Sequence, residues 1–500
     1  MRTRALVLIA ALGVLLACKG TAQTFTTLHS FAAAHGTTGN VINSEGASPA
    51  SGVILLDGIL YGTAVVGGDW GFGTVYALNT DGTSFTNLHS FAGYPNDGDM
   101  PYAGLLPAGN TLYGATSLGG GSPSAWGAVF AISTNGTGLT FLHAFPSIFA
   151  AYTNGNETIY TNSEGAVPYG YGGLVLSSDT LFGTVNGGGY WGNGAVFRVN
   201  VNGTGFTNLH SFTAGSGSSQ RLTNNDGAKP LSGLVLSGDT LYGTTITGGN
   251  SGAGTIFAVK TDGTDFRNLH NFTRNDGASP VGRLVLSGST LFGTASDGGS
   301  SSNGTVFAVN TDGTDFRNLH SFAAGSKTVA RIINSDGAQP DAGLVLSGYT
   351  LYGATGGGGR AGNGTVFSLN TDGTEFSTLY SFMAGSADGT NPDGANPNEL
   401  ALAGNSLYGT TSIGGRWGRG TVFKISFIPR LSISSSGTNV VLTWSTNYAG
   451  FDYTGYTFQS ATNLASPIWS TNLPTPVIVN GLNTVTNPIP GTQQFFRLTQ

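Results

Sequence analysis

Short apolar runs recur along most of the chain, and each is broken by a turn rich in glycine or aspartate. Residues 233–238 (GLVLSG), 254–260 (GTIFAVK) and 266–272 (FRNLHNF) are typical runs, separated by words such as SGDT and TDGT. Runs rich in aromatic and β-branched side chains and bounded by Gly, Asp and Asn are typical of β-strands. Turns this short favour hairpins. The pattern predicts antiparallel strands and an all-β fold.

The word Leu-aromatic-Gly marks seven copies of this pattern, 50 to 69 residues apart. The copies begin at Leu60, Leu112, Leu181, Leu241, Leu291, Leu351 and Leu407. Each follows one apolar run and precedes a glycine loop and two further runs, so every repeat offers four strands. Four antiparallel strands in each of seven repeats predict a seven-bladed β-propeller.

The two ends of the repeat array complement each other. The array opens on a fourth-strand word at 25–31 (FTTLHSF), whereas the seventh repeat stops after 420–426 (GTVFKIS) without one. An N-terminal strand that completes the last blade would tie first blade to last and leave no open sheet edge. The sequence therefore predicts closure by the N-terminal strand.

The repeat unit, for example 241–272, resembles the GloVer tandem repeat of exported bacterial proteins over residues 24–426. The order of its strands is similar to that of a Kelch blade, and its TDGT turn is similar to that of TolB-like propellers. The resemblance implies a location outside the cytoplasm and a variable mode of attachment. It implies no catalytic residues.

The repeat pattern ends after Pro429. The runs NVVLTWST, YTFQSATNL, PVIVNG and QQFFRLTQ predict a small β-sandwich over 430–500, with Trp444 in its core. This segment resembles a fibronectin type III or immunoglobulin-like module, and such modules bind, space or anchor.

The first 22 residues predict a signal peptide. Two arginines precede an apolar run from Ala5 to Ala17, and small residues follow at Gly20 and Ala22. The run is shorter than the roughly 20 residues that span a bilayer. We therefore expect a secreted or surface-exposed protein without a membrane-spanning helix.

Cys18 is the only cysteine, so no internal disulfide can form. Residues 15–18 (LLAC) resemble the site at which bacterial lipoproteins are cleaved and lipidated. Lipid anchoring through Cys18 and soluble secretion after cleavage at residue 22 both stay open, with soluble secretion favoured.

Charged residues are scarce, at 9% of the chain with a net charge of −6. No basic stripe exists that could follow a phosphate backbone, so a nucleic-acid partner is not expected. No phosphate-binding glycine loop with its lysine is present either. We expect a monomer without a cofactor.

Seven acidic residues occupy one repeated word, each followed by Gly and, in the same word, by Pro. They are Glu45, Asp97, Glu164, Asp226, Asp276, Asp336 and Asp393. One interpretation is a ring of carboxylates that binds a cation. The favoured interpretation is a turn in which the carboxylate accepts hydrogen bonds from backbone N–H groups, because a residue required in every repeat usually meets a structural need.

The histidines also follow the repeat. Six of them share one position of the fourth-strand word, and Tyr380 takes that position in the remaining copy. The histidines are His29, His89, His143, His210, His270 and His320. Because these strands belong to different blades, they are too far apart to ligate one metal ion together. A hydrogen bond within each blade is predicted instead.

Four of the six tryptophans fall in the glycine loops between second and third strands. Trp70, Trp126, Trp191 and Trp417 belong to repeats 1, 2, 3 and 7, which are consecutive in a closed ring. Together with Tyr190 and Arg416 they form the candidate binding surface, here called the aromatic arc. A flat indole can cover the apolar face of a sugar, although each Trp could equally pack over its own blade end.

The sequence therefore favours an exported, non-enzymatic propeller that binds glycans or surface proteins. The first alternative is a polysaccharide-active hydrolase or lyase that uses unrepeated residues such as Asp69, Asp99 and Glu157, with Tyr152 nearby. The second alternative is a purely structural envelope protein.

Overall fold

A computed structural model describes residues 22–35, 41–95, 97–122, 124–154, 157–168, 173–217, 222–327, 331–385, 390–448, 450–453, 455–462, 468–471, 474–488 and 494–499. All regular structure in these ranges is β-strand, and they contain no helix long and apolar enough to cross a membrane. Two compact units are present, Phe25–Ile425 with the repeats and Ser426–Gln500. Cys18 and residues 1–21 of the predicted signal peptide lie outside the described residues.

Each repeat contributes one antiparallel sheet of four strands, which we number sheets 1 to 7 along the chain. The strands of sheets 1 to 3 are Ile54–Leu56, Ile59–Ala64, Thr74–Asn79 and Thr86–Ser90; Leu106–Ala108, Thr111–Thr116, Ala128–Ser133 and Thr140–Ala144; Val175–Ser177, Thr180–Val185, Ala195–Asn200 and Thr207–Ser211. Those of sheets 4 to 6 are Val235–Ser237, Thr240–Thr245, Thr255–Lys260 and Arg267–Asn271; Val285–Ser287, Thr290–Ala295, Thr305–Asn310 and Arg317–Ser321; Val345–Ser347, Thr350–Thr355, Thr365–Asn370 and Ser377–Ser381.

Sheet 7 joins the two ends of the repeat array. Its strands are Ala401–Ala403, Ser406–Gly415, Thr421–Ile428 and the N-terminal Ala22–Ser30, with Asn391–Pro397 added beside Ser406–Gly415. The pairing of Ala22–Ser30 with Thr421–Ile428 is the closure that the sequence predicted. Three two-stranded ribbons lie in the connections: Gly98–Asp99 with Leu118–Gly119, Phe149–Asn154 with Glu157–Thr161, and Ser326–Lys327 with Ile332–Ile333.

The glycine of the Leu-aromatic-Gly word makes room for a ring on the neighbouring strand. A Cβ atom added to Gly243 would lie 2.6 Å from the ring of Phe257, which is fully buried on the third strand. The equivalent glycine faces Phe or Tyr in every sheet, as Gly353 faces Phe367 at 2.5 Å. Close packing of the two strands over the ring explains why the word recurs.

Consecutive sheets are joined by a repeated hydrogen bond. Thr244 Oγ1 on a second strand donates to the Pro280 carbonyl of the next sheet at 2.9 Å, and Thr294 donates likewise to Ala342 at 2.9 Å. The same bond runs from Thr410 of sheet 7 to Ser51 of sheet 1 at 2.7 Å. The repeat region is therefore a β-propeller-like scaffold in which the last sheet contacts the first.

A second repeated contact links the histidine and acid words, and we call it the His–acid–ring joint. His210 Nε2 lies 2.9 Å from Asp226 Oδ2, and the imidazole stacks on Phe266 of the next sheet at 3.7 Å between ring centroids. The other joints pair His29 with Glu45, His89 with Asp97, His143 with Glu164, His270 with Asp276, His320 with Asp336 and Tyr380 with Asp393, at 2.8–3.2 Å.

The Tyr380 joint also passes through the N-terminal strand. Tyr380 stacks on Phe25 at 4.0 Å, as His29 of that same strand stacks on Phe85 of sheet 1. Phe25 thus takes the place that a phenylalanine of the next repeat takes elsewhere. The N-terminal strand therefore contributes to two joints, through Phe25 to that of Tyr380 and through His29 to its own.

The acid of each joint also binds backbone. Asp226 accepts a hydrogen bond from the N–H of Thr213 at 3.0 Å, three residues after the histidine. The carboxylate thus accepts from a backbone N–H, as the turn interpretation expects, but the donor lies 13 residues earlier in the chain and not in the turn of the acid itself. The bond recurs at Glu45, where the hydrogen bond from His29 lowers the pKa of the carboxyl group. At Glu164 the donor position is Pro146, which has no N–H, and burial raises the pKa of Glu164. Burial also lowers the pKa of His143 to about 4.

The second unit contains two main sheets. Ser432–Ser436, Asn439–Ser445, Leu482–Pro488 and Val477–Val479 form one, and Thr457–Ala461 with Phe495–Thr499 forms the other; Asn447–Tyr448 pairs with Phe451–Asp452. Trp444 is 1% exposed, and its ring lies 6.4 Å from that of Phe458 on the other sheet. The predicted core position of Trp444 is confirmed.

We expect Asp226→Ala to lower the free energy of unfolding of the repeat unit by about 3 kcal/mol, because it leaves His210 and the Thr213 N–H without their buried acceptor. The matched control is Asp262→Ala. That carboxylate also accepts from one backbone N–H and one hydroxyl, of Thr264, but it lies in an exposed turn. Urea unfolding should show a far smaller change for the control, and equal losses would contradict a structural role for the joint.

Candidate functional site

The glycine loops that carry the aromatic arc are held by side chains of the neighbouring words. A serine that follows the joint histidine accepts a hydrogen bond from the backbone N–H at the loop tip, as Ser30 does from Arg416 at 2.7 Å and Ser90 from Asp69 at 3.2 Å. Asn224, two residues before the acid of its joint, accepts from the N–H of Gly249 at 3.0 Å. Because both bonds recur in other sheets, the fold fixes the loop backbone whatever residue stands at the tip.

Three tryptophans of the arc stand at the same place on these loops. Trp70, Trp191 and Trp417 each follow the tip residue directly, and 58%, 46% and 48% of their surfaces are exposed. About half of each tryptophan side chain is therefore open to solvent. In sheets 4, 5 and 6 the same position holds Ser251, Ser301 and Ala361.

Trp126 occupies a different position from the other three. The loop of sheet 2 is longer, and the bridge between Gly119 and Trp126 matches that between Gly67 and Phe72 in sheet 1. Trp126 therefore stands at the base of its loop, where it is 39% exposed. Trp126 lies in the glycine loop, as the sequence predicts, but the extra residues of this loop place it at a different position from the other three.

Arg416 and Tyr190 are the tip residues that precede two of these tryptophans. The Arg416 guanidinium lies 4.9 Å from the ring centroid of Trp417, which is within cation–π range. Tyr190 is 63% exposed beside Trp191. Tyr190 extends the exposed aromatic surface, and Arg416 adds a positive charge beside it.

A hairpin that the sequence did not predict lies beside Trp191. It consists of Phe149–Asn154 and Glu157–Thr161, and the Tyr152 hydroxyl donates to the Trp191 carbonyl at 2.8 Å. Phe149 and Tyr160 on this hairpin are exposed. The hairpin thus supports the Trp191 loop and adds two aromatic side chains near it.

The residues considered for catalysis differ in their surroundings. Asp69 is exposed at its loop tip, whereas Asp99 is 8% exposed; the side chain of Glu157 lies outside the described residues. No hydrogen bond joins Asp69, Asp99 and Tyr152 to one another among the described side chains. Burial raises the pKa of Asp99 to about 6, and its Oδ1 is buried without a hydrogen-bond partner.

Asp99 stands where the other six repeats have alanine, so Asp99→Ala is a natural replacement. A carboxyl group whose pKa is raised by folding destabilises the protein above that pKa and has no effect below its unfolded pKa. We expect Asp99→Ala to raise the free energy of unfolding by about 1–3 kcal/mol at pH 7.5 and to leave it unchanged near pH 3.5. Denaturant unfolding at both pH values measures this, and a variant less stable at pH 7.5 would contradict it.

The seven repeated acids do not come together as a metal site. Each belongs to its own joint, and no cluster of three or more His, Cys, Asp or Glu side chains suited to a metal ion occurs within the described ranges. In the six joints other than that of Glu164, the carboxylate instead accepts hydrogen bonds from an imidazole or phenol group and from a backbone N–H group.

We therefore expect the thermal unfolding midpoint to be the same with EDTA as with millimolar Ca²⁺. A calcium ion needs six to eight oxygen ligands, whereas the seven acids are spread over separate joints and no cluster of them occurs among the described residues. Differential scanning calorimetry measures this directly, and a midpoint that rises with Ca²⁺ would restore the cation-binding interpretation.

A cavity of about 1100 Å³ opens among the beginnings of the first strands, and the sequence analysis did not find it. Its lining includes Tyr102, Leu231, Arg283, Asp341 and Glu399. Burial, and next the charge of Asp297, raises the pKa of Asp341 to about 7, although the side chain faces the cavity. Burial likewise raises the pKa of Glu399, which the charge of Arg283 partly offsets.

Several solved structures are similar to the chain at low identity. TolB from Acinetobacter baumannii is 14% identical, with a TM-score of 0.34, over 60% of this chain and 58% of TolB. An oligogalacturonate lyase in complex with manganese is 12% identical, with a TM-score of 0.41, over 74% of this chain and 86% of the lyase. The GH74 xyloglucanase from Xanthomonas campestris is 12% identical, with a TM-score of 0.45, over 85% of this chain and 59% of the xyloglucanase. These values are too low to transfer a substrate or a partner.

The sequence itself matches a family of repeats. No curated protein sequence matches it. The model of the Gloeobacter/Verrucomicrobia repeat matches three consecutive stretches, residues 13–222, 218–338 and 325–464, which together span most of the chain. The chain belongs to the Gloeobacter/Verrucomicrobia repeat family.

Proposed function

We propose that this chain is an exported, non-enzymatic binding protein whose aromatic arc holds glycans. The observation that carries the proposal is the presentation of Trp70, Trp191 and Trp417, half exposed, at one position of loops whose backbone is fixed by the repeat. Surface proteins are the alternative ligand, because the same side chains can contact aromatic or aliphatic residues.

Glycans fit the arc because an indole ring covers the C–H face of a sugar and has few torsions to restrict on binding. The serine bonds at the loop tips fix the backbone before any ligand arrives, which reduces the entropy cost of binding. The arc is one-sided, since sheets 4 to 6 carry Ser251, Ser301 and Ala361 at the position of these tryptophans. A one-sided row of separated rings suits an extended chain of sugars better than a single small molecule.

The proposal includes the architecture that presents the arc. The scaffold is a seven-bladed β-propeller closed by its N-terminal strand. This count is supported by the seven sheets, by the bond from Thr410 to Ser51 and by the stack of Tyr380 on Phe25. In such a ring sheet 7 is the neighbour of sheet 1, so the loops with Trp417, Trp70, Trp126 and Trp191 follow one another. The C-terminal unit is a fibronectin- or immunoglobulin-like sandwich.

Export and surface location complete the proposal. The basic, apolar and small-residue segments of residues 1–22 are those of a signal peptide, and Cys18 offers a site for a lipid anchor. The mature protein would then meet extracellular polysaccharides, either secreted or at the outer cell surface.

We expect Trp191→Ala and Trp417→Ala each to weaken polysaccharide binding about tenfold, which corresponds to losing one central aromatic contact. Affinity electrophoresis against a panel of polysaccharides measures the change. Ser251→Ala is the matched control, because it truncates the same loop position in sheet 4. All three variants should keep the unfolding midpoint of the wild-type protein, since the mutated side chains are exposed.

The other outcomes separate the alternatives. Full retention by both tryptophan variants would contradict the arc as a glycan site. Release of shortened oligosaccharides by the wild-type protein would favour a polysaccharide-active enzyme. Binding neither to glycans nor to surface proteins would favour a structural envelope protein.

A further inference from the structure

One position at the cavity departs from the repeat in two sheets only. The residue just before the first buried apolar residue of each repeat is glycine in five sheets: Gly52, Gly104, Gly173, Gly233 and Gly343. In sheets 5 and 7 it is Arg283 and Glu399, which precede the buried Leu284 and Leu400. Both charged residues line the cavity.

Glycine occurs here because the first strands approach one another closely. A Cβ atom added to Gly52 would lie 2.3 Å from the Glu399 carbonyl oxygen, and one added to Gly173 would lie 2.6 Å from that of Gly104. Five repeats form the same sheet with glycine. The charges of Arg283 and Glu399 are therefore not required to build it.

The two charged side chains flank a single glycine. A Cβ atom added to Gly343 of sheet 6 would lie 3.0 Å from Glu399 Oε1 and 3.2 Å from Arg283 Cβ. Arg283 and Glu399 thus approach the cavity from either side of the segment that contains Gly343. Although they attract each other electrostatically, no ion pair within 4.0 Å joins these two described residues.

Neither charge has a hydrogen-bond partner among the described residues, whereas the nearby charged groups do. Arg331 donates to the Ala361 carbonyl, and Asp341 shares a hydrogen bond with Ser296. Charges removed from bulk water without partners are costly. A molecule that carries one group of each sign could satisfy both Arg283 and Glu399.

The rest of the cavity lining restricts the type of molecule. Val65, Val66, Leu231, Val281 and Tyr102 contribute apolar or aromatic surface from sheets 1, 2, 4 and 5. The charged pair comes from sheets 5 and 7. A ligand that matches both surfaces has a charged end with both signs and an apolar remainder.

We propose that the cavity binds a small zwitterion with an apolar side chain, an amino acid or a short peptide. Its carboxylate is held by the guanidinium of Arg283 and its ammonium group by the carboxylate of Glu399. The apolar side chain lies against the valines and Leu231. This site is separate from the aromatic arc and does not depend on glycan binding.

Isothermal titration calorimetry on the full chain tests the proposal with leucine, valine and phenylalanine as probes. Leucinamide lacks the carboxylate and N-acetyl-leucine lacks the ammonium group. We expect each to bind about 10- to 100-fold more weakly than leucine, the effect of one lost charge-assisted hydrogen bond. Glycine, without the apolar part, should also bind more weakly than leucine.

Two variants test which charged side chain binds which charged group of the ligand. Arg283→Gly restores the residue of five other repeats and should abolish the preference for leucine over leucinamide. Glu399→Gln keeps the shape of the side chain and should abolish the preference for leucine over N-acetyl-leucine. If Arg283→Gly does not fold, Glu399→Gln alone decides, because an unchanged preference in that variant would overturn the assignment.

The proposal is overturned if none of the amino acids binds, if leucine and its two derivatives bind equally, or if a neutral sugar such as cellobiose displaces leucine. Trp191→Ala and Trp417→Ala should leave leucine binding unchanged. Loss of leucine binding in those variants would place it on the arc and also overturn the cavity site. Failure of the glycan proposal would leave all these results unaffected.

Discussion

In most connections between sheets a carboxylate accepts hydrogen bonds from an imidazole and from a backbone amide, as Asp226 does from His210 and Thr213, and the imidazole of His210 lies flat on an aromatic ring of the next sheet. The exceptions are Glu164, which lacks the backbone donor, and Asp393, whose partner is the phenol of Tyr380. This joint fixes where one sheet ends, how the chain turns and where the next sheet begins. The chain has one cysteine and few charged residues, so disulfides and surface ion-pair networks contribute little. Orientation between sheets depends on these polar contacts together with apolar packing, because packing alone is not directional.

The residues beside each joint form hydrogen bonds with the glycine loops and so fix the loop backbone. The serine after the histidine binds the loop tip, and the asparagine two residues before the acid binds the glycine turn of the same loop. A tip residue is therefore placed by contacts that do not involve its side chain. This is why the position after the tip can hold Trp417 in sheet 7 and Ala361 in sheet 6. Binding surfaces can change on such a loop while the scaffold stays the same.

Repetition made the four strands of each repeat and the pairing of the N-terminal strand with the last sheet predictable, because each repeat supports the pattern of the others. The ribbons in the connections, such as Phe149–Asn154 with Glu157–Thr161, do not recur and were not predictable in this way. The pairing of the histidine and acid words could not be read in the same way. His270 and Asp276 are six residues apart, whereas His210 and Asp226 are 16 apart, so no fixed spacing signals their contact. The place of Trp126 within its loop could not be read from the repeat either, because that loop contains extra residues and only the bridge to Gly119 reveals the register.

Residues that depart from the repeat differ in their consequences, and the difference follows from how accessible each side chain is. Asp99 replaces alanine in a closed environment, where one oxygen has no partner, so we expect it to lower the stability at neutral pH. Arg283 and Glu399 replace glycine where a cavity gives them accessible surface, so a ligand can reach them. The sequence does mark these two positions, because five repeats have glycine there and the other two have an arginine and a glutamate. This difference could be interpreted only with the structure. Arg283 and Glu399 are 116 positions apart in the chain, and the fold brings them to either side of Gly343.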